Sequence, residues 1–195
     1  MLCSDELHVF ALCFITVLAS ELGDKTQLTI LALSLKGDKA RVLAGSILAF
    51  SVVNGLSSAL GFLLHKLLPL KALRMAAGAA FVLVGLVGLV RSWGEAGRTV
   101  ERPIRPGGSP FVNSLALVGL AELGDKTQLA TVGFSATTGL AFVVALAAIS
   151  ALSLMAAATC LLGSQLAGRI GGSKANLISY VMFVIVGIAM LLWPS

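Results

Sequence analysis

The chain has 195 residues, of which 57% are hydrophobic and only 12% charged, and its formal net charge at pH 7 is +5. Soluble domains usually have about 25% charged residues, so this composition excludes a water-soluble globular domain and an intrinsically disordered chain. The three cysteines are widely spaced and form no Cys-x-x-Cys or Cys/His cluster, which excludes a disulfide scaffold and gives no indication of a zinc or redox centre. The chain is therefore predicted to be an integral membrane protein.

Six apolar stretches are long enough to cross a bilayer, which takes about 20 residues in a helix. They extend over about residues 7–35, 42–64, 73–90, 111–134, 140–163 and 175–193. Charged residues interrupt the first and the fourth stretch near the middle, and none of the six contains an internal proline. Because lipid offers the backbone no hydrogen-bond partners, each stretch is predicted to be a helix. The expected fold class is an all-α integral membrane protein with six transmembrane helices.

The longest connection between these stretches, residues 91–110, is rich in arginine, proline and glycine and is predicted to be a flexible polar loop. It separates the chain into residues 1–92, a loop over residues 93–110, and residues 111–195, with three predicted helices on each side. Residues 136–139 are predicted to join the fourth and fifth helices in a tight hairpin.

The lysine and arginine residues are unequally distributed between the two sides of the membrane. The side reached after the first helix has Lys36, Lys39, Arg41, Arg91, Arg98, Arg102, Arg105, Arg169 and Lys174. The opposite side has Lys66, Lys71 and Arg74. Since cytoplasmic loops carry the excess of basic residues, the polar loop is expected in the cytoplasm and both termini outside or in the periplasm. This distribution also accounts for the positive charge, so membrane lipid and not nucleic acid is the expected partner.

An octapeptide, Glu-Leu-Gly-Asp-Lys-Thr-Gln-Leu, occurs at Glu21–Leu28 and again at Glu122–Leu129, 101 residues later. A second similarity links Phe81–Gly85 with Phe183–Gly187 at an offset of 102 residues. The duplication therefore covers three helices. Because three is an odd number of crossings, the second unit is predicted to enter the membrane from the opposite side. The two repeats would then be inverted, an arrangement typical of secondary transporters with a substrate site near the midplane.

Each octapeptide places ionisable residues near the middle of a predicted transmembrane helix. A charge at the bilayer centre costs at least ~2.5–3.5 kcal/mol, so these side chains are expected to face the protein interior or water. With the spacing of a continuous helix, Glu21 and Asp24 lie on one face, Lys25 falls near it, and Gln27 extends the polar stripe. The corresponding residues of the second copy are Glu122, Asp125, Lys126 and Gln128.

The glycine inside each octapeptide is predicted to allow the helix to unwind. Thr26 points away from the polar face unless the helix breaks, and Gly23 is the residue that permits such a break. Gly124 has the same relationship to Thr127 in the second copy. Both glycines are therefore candidate hinges.

Four carboxylates brought together by the repeat symmetry would suit a hard divalent cation, which prefers oxygen ligands. Neither octapeptide contains His, Cys or Met, which argues against copper and zinc but leaves manganese, calcium and magnesium open. The two lysines reduce the charge of the site from −4 to −2, which one divalent cation balances. Without the cation these carboxylates would tend to bind protons, so the hypothesis is an exchange of metal for protons. The alternative is that Glu21–Lys25 and Glu122–Lys126 are only structural ion pairs, which would leave both aspartates without partners.

Asn54 lies in a polar stripe of the second predicted helix with Ser51 and Ser57. These side chains could complete the coordination of a cation. Equally, small polar residues allow helices to pack closely, and the sequence leaves both interpretations open.

The segments Glu21–Thr26 and Glu122–Thr127 resemble the paired E-x-G-D-[KR]-[ST] signatures of the calcium/manganese cation:proton antiporter family. Its eukaryotic members serve the Golgi and its bacterial members export manganese. The resemblance covers essentially the whole chain. It implies that Glu21, Asp24, Glu122 and Asp125 bind the cation, and that Lys25, Thr26, Lys126 and Thr127 belong to the shared core of the site.

The compactness of the sequence, without an added N-terminal helix or a long acidic loop, resembles the bacterial form of the family. The resemblance therefore implies Mn²⁺ efflux in exchange for protons across the inner (plasma) membrane, with no prosthetic group and no enzymatic activity. A Ca²⁺/H⁺ exchanger is the nearest alternative. An intramembrane aspartyl protease, in which two aspartates share a proton, and a structural or channel-like membrane protein are alternatives of other classes. The sequence does not indicate an oligomeric state.

Overall fold

A computed structural model describes residues 2–21, 24–94, 108–166 and 173–192, and every regular element in these ranges is an α-helix. The eight helices are α1 (Leu2–Glu21), α2 (Lys25–Lys36), α3 (Lys39–Leu67), α4 (Leu70–Gly94), α5 (Pro110–Glu122), α6 (Lys126–Thr138), α7 (Ala141–Leu166) and α8 (Ser173–Leu192). The predicted all-helical class is confirmed. The first and fourth predicted helices are each divided into two shorter helices, because the chain leaves the helical conformation within each octapeptide.

Three described helices are long and apolar enough to cross a membrane by themselves, namely α3, residues 70–90 of α4 and residues 141–162 of α7. Helices α1 and α2 pass the same test only together, and their axes are inclined by 69°. Helix α5 and residues 177–192 of α8 are shorter apolar helices. The chain is thus a helical membrane protein by length and composition, and the number of six crossings stays a prediction.

Several features predicted from the sequence lie outside the described residues. They include Gly23, most of the polar loop, and the basic residues Arg98, Arg102, Arg105 and Arg169. The predicted orientation and domain boundaries therefore stay predictions.

Local sequence explains where the helices begin and end around the site. Asp38 precedes α3 and accepts a hydrogen bond from the backbone N–H of Ala40 at 2.9 Å, which satisfies one of the free donors of the first turn. Ser109 precedes α5 in the same way, with Pro110 in the first turn. Gly139 ends α6 in the left-handed conformation with φ 71°. The turn between α6 and α7 is shorter than the predicted residues 136–139, because residues 136–138 belong to α6 and only residues 139–140 connect the two helices.

Helices α4 and α8 approach each other closely along a series of glycines. A Cβ atom added to Gly78 would lie 2.9 Å from the carbonyl oxygen of Gly187, and one added to Gly85 would lie 2.8 Å from that of Tyr180. Real Cβ atoms do not fit at such distances, so the absence of side chains lets the two backbones pack together, as small residues do between membrane helices.

The contacts between α4 and α8 are reciprocal with respect to the repeat. Gly85 faces Val184, and Gly187 faces Val82. Since Val82 and Gly85 correspond to Val184 and Gly187 at the offset of 102 residues, each contact is the symmetry equivalent of the other, as in a two-fold related pair. The residue number rises along α4 while it falls along α8, so the two helices are antiparallel.

The remaining helices also pack between the repeats. By the repeat, α1 to α4 correspond in order to α5 to α8. The contact of α1 with α7 has its equivalent in the contact of α5 with α3, and the contact of α2 with α7 has its equivalent in that of α6 with α3. The symmetry is incomplete within the described ranges. Helix α1 packs on α8, but the equivalent pair α5 and α4 has no comparable contact, and α4 packs on α6, but the equivalent pair α8 and α2 has none. Leu28 and Leu35 of α2 are exposed, whereas α6 is buried over much of its length.

Candidate cation site between two helix breaks

At both octapeptides one helix ends at the glutamate and the next helix begins directly after the aspartate. Glu21 is the last residue of α1, and Glu122 is the last residue of α5. Asp24 and Asp125 are the N-cap residues of α2 and α6, with φ, ψ of −79°, 160° and −83°, 166°. Neither aspartate caps its helix with the side chain. The two carboxylates are therefore available to other partners.

Gly124 lies in the second break with φ +79°, a conformation that side-chain-bearing residues rarely adopt. A Cβ atom at this position would have no heavy atom within 4 Å, so the glycine serves the backbone and not the packing. The break also overrides the continuous-helix spacing assumed from the sequence, and Lys25, the first residue of α2, is exposed.

Three of the four predicted carboxylates come together. Oxygen atoms of Glu21, Asp24 and Asp125 lie within 4.8 Å of one another, a separation at which one ion can contact all three. Glu21 and Asp24 belong to the first repeat and Asp125 to the second, so the group forms only where the repeats meet. Glu21 is fully buried, and the two aspartates are half-buried.

Glu122 is buried but is not part of this group. Neither of its carboxylate oxygens has a hydrogen-bond partner among the described residues. The hydroxyl of Thr26 is also buried and lies beside Glu122, which is the equivalent of the Thr127–Glu21 contact in the other half of the site.

Glu21 is held by donors from other helices. The hydroxyl of Thr127 donates to Glu21 Oε1 at 2.7 Å and lies 3.3 Å from the hydroxyl of Ser20. The amide of Gln27 is 3.5 Å from Glu21 Oε2 and accepts a hydrogen bond from Thr159 of α7 at 2.7 Å. Because the oxygen of Gln27 is taken by Thr159, its NH₂ group is directed to Glu21. These donors stabilise the carboxylate in its charged form.

Asn54 lies beside the site in α3 and is fully buried. Its side-chain oxygen accepts a hydrogen bond from Thr131 at 2.9 Å, and the same hydroxyl lies 3.0 Å from the backbone oxygen of Thr127. Ser51 and Ser57 bond to carbonyls of their own helix. Asn54 thus connects α3 to the turn of α6 that carries Thr127, and it does not contact the three carboxylates through any hydrogen bond in the described part.

The two lysines of the repeats have different environments. Lys126 Nζ forms an ion pair with Asp24 Oδ1 at 3.2 Å, and the two side chains are only 9% and 16% exposed. Gln128, the equivalent of Gln27, accepts a hydrogen bond from the backbone N–H of Gly124 at 2.7 Å. Identical sequences therefore provide one buried ammonium group, from Lys126, and one exposed ammonium group, from Lys25.

Sequence reasoning missed Ser20, Thr131, Thr159 and Tyr180. Ser20 directly precedes Glu21, and Thr131 follows Thr127 by one helical turn, so both could have been found by extending the polar stripe. Thr159 and Tyr180 lie in helices remote in sequence, and no local pattern indicates them.

A family model described as "Divalent cation/proton antiporter GDT1" matches residues 9–96 and 110–194 of the chain. These two segments coincide with the two repeats that the octapeptides indicate. The GDT1-like protein 3 of Arabidopsis thaliana is 26% identical over 204 residues, which cover 93% of this chain and 69% of the relative. The GDT1-like protein 3 of Oryza sativa subsp. indica is also 26% identical, over 91% of this chain and 71% of the relative.

A cyanobacterial relative, the GDT1-like protein sll0615 of Synechocystis, is 27% identical over 194 residues, which cover 91% of this chain and 93% of the relative. No solved structure matches the chain. The family match spans most of the sequence and confirms the resemblance found in the two octapeptides, and it favours a transporter over an intramembrane protease. The chain therefore belongs to the GDT1 family of divalent cation/proton antiporters.

Proposed function

We propose that the chain exports Mn²⁺ from the cytoplasm in exchange for protons, and that carboxylates of both repeats bind the cation near the middle of the membrane. The observation that carries the proposal is the group formed by Glu21, Asp24 and Asp125, with oxygen atoms within 4.8 Å of one another. Oxygen ligands suit a hard divalent cation. Glu122 is buried near Glu21 and is the fourth carboxylate of the proposed site.

The reciprocal, antiparallel contacts of α4 and α8 support inverted repeats with six crossings. A two-fold axis between antiparallel helices runs perpendicular to them, and if α4 and α8 cross the bilayer this axis lies in the membrane plane. The two helix breaks then lie at a similar depth in the membrane and are reached from opposite sides. An ion bound at this depth is accessible in turn from either surface, as transport requires.

Exchange with protons follows from the charge of the site. Glu21, Asp24 and Asp125 with the ammonium group of Lys126 have a formal charge of −2 when all are ionised, and one divalent cation balances it. When the cation leaves, buried carboxylates are unfavourable as charged groups and bind protons instead. The two ligands therefore alternate on the same oxygens, which is the requirement for antiport.

The direction and the membrane rest on the basic residues and on the resemblance to bacterial members. The side with nine lysine and arginine residues is assigned to the cytoplasm of the plasma membrane, with both termini outside. Efflux would then carry the metal from this side to the opposite one.

Uptake into inside-out vesicles with an acidic interior tests the proposal. Mn²⁺, Ca²⁺ and Mg²⁺ are offered in parallel, and a pH-sensitive dye reports proton release. We expect saturable Mn²⁺ uptake that alkalinises the interior and is lost in Asp24→Asn. Faster uptake of Ca²⁺ would identify a Ca²⁺/H⁺ exchanger. Non-saturating uptake that is independent of the proton gradient would contradict antiport.

A further inference from the structure

Lys126 competes for a carboxylate of the proposed cation site. Its Nζ atom is 3.2 Å from Asp24 Oδ1, and Asp24 belongs to the group that would bind the cation. The other oxygen, Asp24 Oδ2, is buried and has no hydrogen-bond partner within the described ranges. A divalent cation that binds Asp24 brings two positive charges close to the ammonium group, so the ion pair and the bound cation oppose each other.

A second group, the aromatic ring of Tyr180, lies beside the ammonium group of Lys126. The Nζ atom lies 5.9 Å from the centroid of the Tyr180 ring in α8, within the ~6 Å over which an aromatic face attracts a cation. The ring is held in place by α4, because it packs directly against Gly88, where a side chain would collide with it. Asp24 and Tyr180 thus flank one ammonium group.

This arrangement exists in one repeat only. Lys25, the equivalent of Lys126, is exposed. The position equivalent to Tyr180 at the offset of 102 residues is Gly78, and Tyr180 is the single tyrosine of the chain. The difference is therefore built into the sequence and is not a consequence of the octapeptides, which are identical.

We propose that Lys126 is a tethered counter-ion that neutralises Asp24 when no metal is bound, and that Tyr180 receives its ammonium group when the metal displaces it. The inference rests on the proposed function, because it needs a cation at the three carboxylates. It gives Tyr180 a positioning role for the transported ion without direct contact. It also explains how Asp24, one of the three carboxylates, is compensated in the empty site, while protons compensate the others.

Two variants change cation affinity in opposite directions. Lys126→Gln removes the competing charge, so the Kd for Mn²⁺ falls about tenfold. Tyr180→Leu removes the ring that stabilises the displaced ammonium group, so the Kd rises about threefold. In the Lys126→Gln background, Tyr180→Leu has nothing left to act on, and the two effects are not additive.

The experiment is equilibrium dialysis of the purified full chain in detergent micelles against Mn²⁺ alone. Tyr180→Phe keeps the ring and is expected to restore the wild-type Kd. The matched control is Phe62→Leu, since Phe62 also lies under a lysine ammonium group, Lys66 Nζ at 4.5 Å, but belongs to the last turns of α3. This variant is expected to leave the Kd unchanged. If Lys126→Gln does not fold, the same measurements are made on Lys126→Met and on the two variants Tyr180→Leu and Tyr180→Phe.

The counter-ion role of Lys126 is supported by three results together. The Kd is lower in the Lys126 variant, it is higher in Tyr180→Leu, and Tyr180→Leu has no further effect in the double variant. Unchanged or weaker binding by a folded Lys126 variant overturns it, and so do additive effects in the double variant. Wild-type protein that binds no Mn²⁺ overturns both this inference and the proposed function. Wild-type protein that binds and transports Mn²⁺ while the Lys126 variants bind it more weakly overturns only the counter-ion.

Discussion

Phe81 and Phe183 occupy equivalent positions in the two repeats and stack on each other, with ring centroids 5.1 Å apart and an interplanar angle of 26°. Two equivalent residues touch each other only where they lie close to the axis that relates their repeats. Both rings are fully buried. Their contact marks the place where the α4–α8 pair fixes the two repeats together, and so determines how the breaks that carry the carboxylates face each other.

The close packing of α4 and α8 predicts that a single methyl group at Gly85 destabilises the protein. A Cβ atom there would lie 2.6 Å from the Val184 side chain and 2.8 Å from the carbonyl oxygen of Tyr180. Overpacking of this kind costs about 1–3 kcal/mol, so Gly85→Ala should lower the midpoint of thermal unfolding in detergent. Gly55→Ala is the matched control, because a Cβ atom at Gly55 meets nothing within 4 Å and alanine favours the helix. Equal midpoints for the two variants would contradict the packing argument.

The carboxylate group predicts that Asp24→Asn and Asp125→Asn each reduce Mn²⁺ transport more than ~100-fold, because an amide supplies no charge to the cation. Purified variants should retain the wild-type elution volume in size-exclusion chromatography. Asp38→Asn serves as the control, since Asp38 is also a helix N-cap but is exposed and remote in sequence from the octapeptides. Full transport by either of the first two variants would reject these residues as ligands.

The hydrogen bond from Thr127 to Glu21 predicts unequal roles for the two threonines. Bonds to charged groups contribute about 1.5–3 kcal/mol, so Thr127→Val should weaken Mn²⁺ binding roughly tenfold or more. Thr127→Ser keeps the hydroxyl and should bind nearly as well as the wild type. Thr26→Val removes a hydroxyl that lies beside Glu122, outside the group of three carboxylates, and its effect on Mn²⁺ binding should be smaller. If Thr127→Val and Thr26→Val bind Mn²⁺ equally well in titrations, the two threonines do not have unequal roles and the prediction is wrong.

The backbone of Gly124 predicts a cost for any side chain at this position. With φ +79°, an alanine is strained by roughly 1–2 kcal/mol. Gly124→Ala should therefore unfold at lower temperature than Gly119→Ala, whose Cβ atom would make an ordinary 3.8 Å contact with Ala49. Transport rates of the two variants then report whether the α5–α6 break also moves. Equal unfolding temperatures would mean that the break does not depend on the left-handed conformation.

The sequence was sufficient to predict the helical class, the repeat and the family, because each depends on local composition or on identity between segments. Two predicted helices are divided instead of continuous. Aspartate is favourable at a helix start in both repeats, and in the second break Gly124 adopts the left-handed conformation. The periodic spacing that placed Lys25 beside Glu21 does not survive the first break.

The asymmetry of the site could not be predicted from the octapeptides, which are identical. It arises from their surroundings, where Tyr180 corresponds to Gly78 and Thr131 corresponds to Ile30. Such differences matter only once packing has brought remote helices together. Lys126 accordingly lies beside Asp24 and the ring of Tyr180, while Lys25 is exposed.

Anomalous diffraction from crystals of the wild-type protein grown with Mn²⁺ tests the shared site most directly. A single manganese peak within about 2.6 Å of oxygens from both Asp24 and Asp125, with Glu21 beside them, is the expected result. A peak bound to carboxylates of one repeat only, or a manganese ion elsewhere in the helices with these three side chains apart, would contradict it.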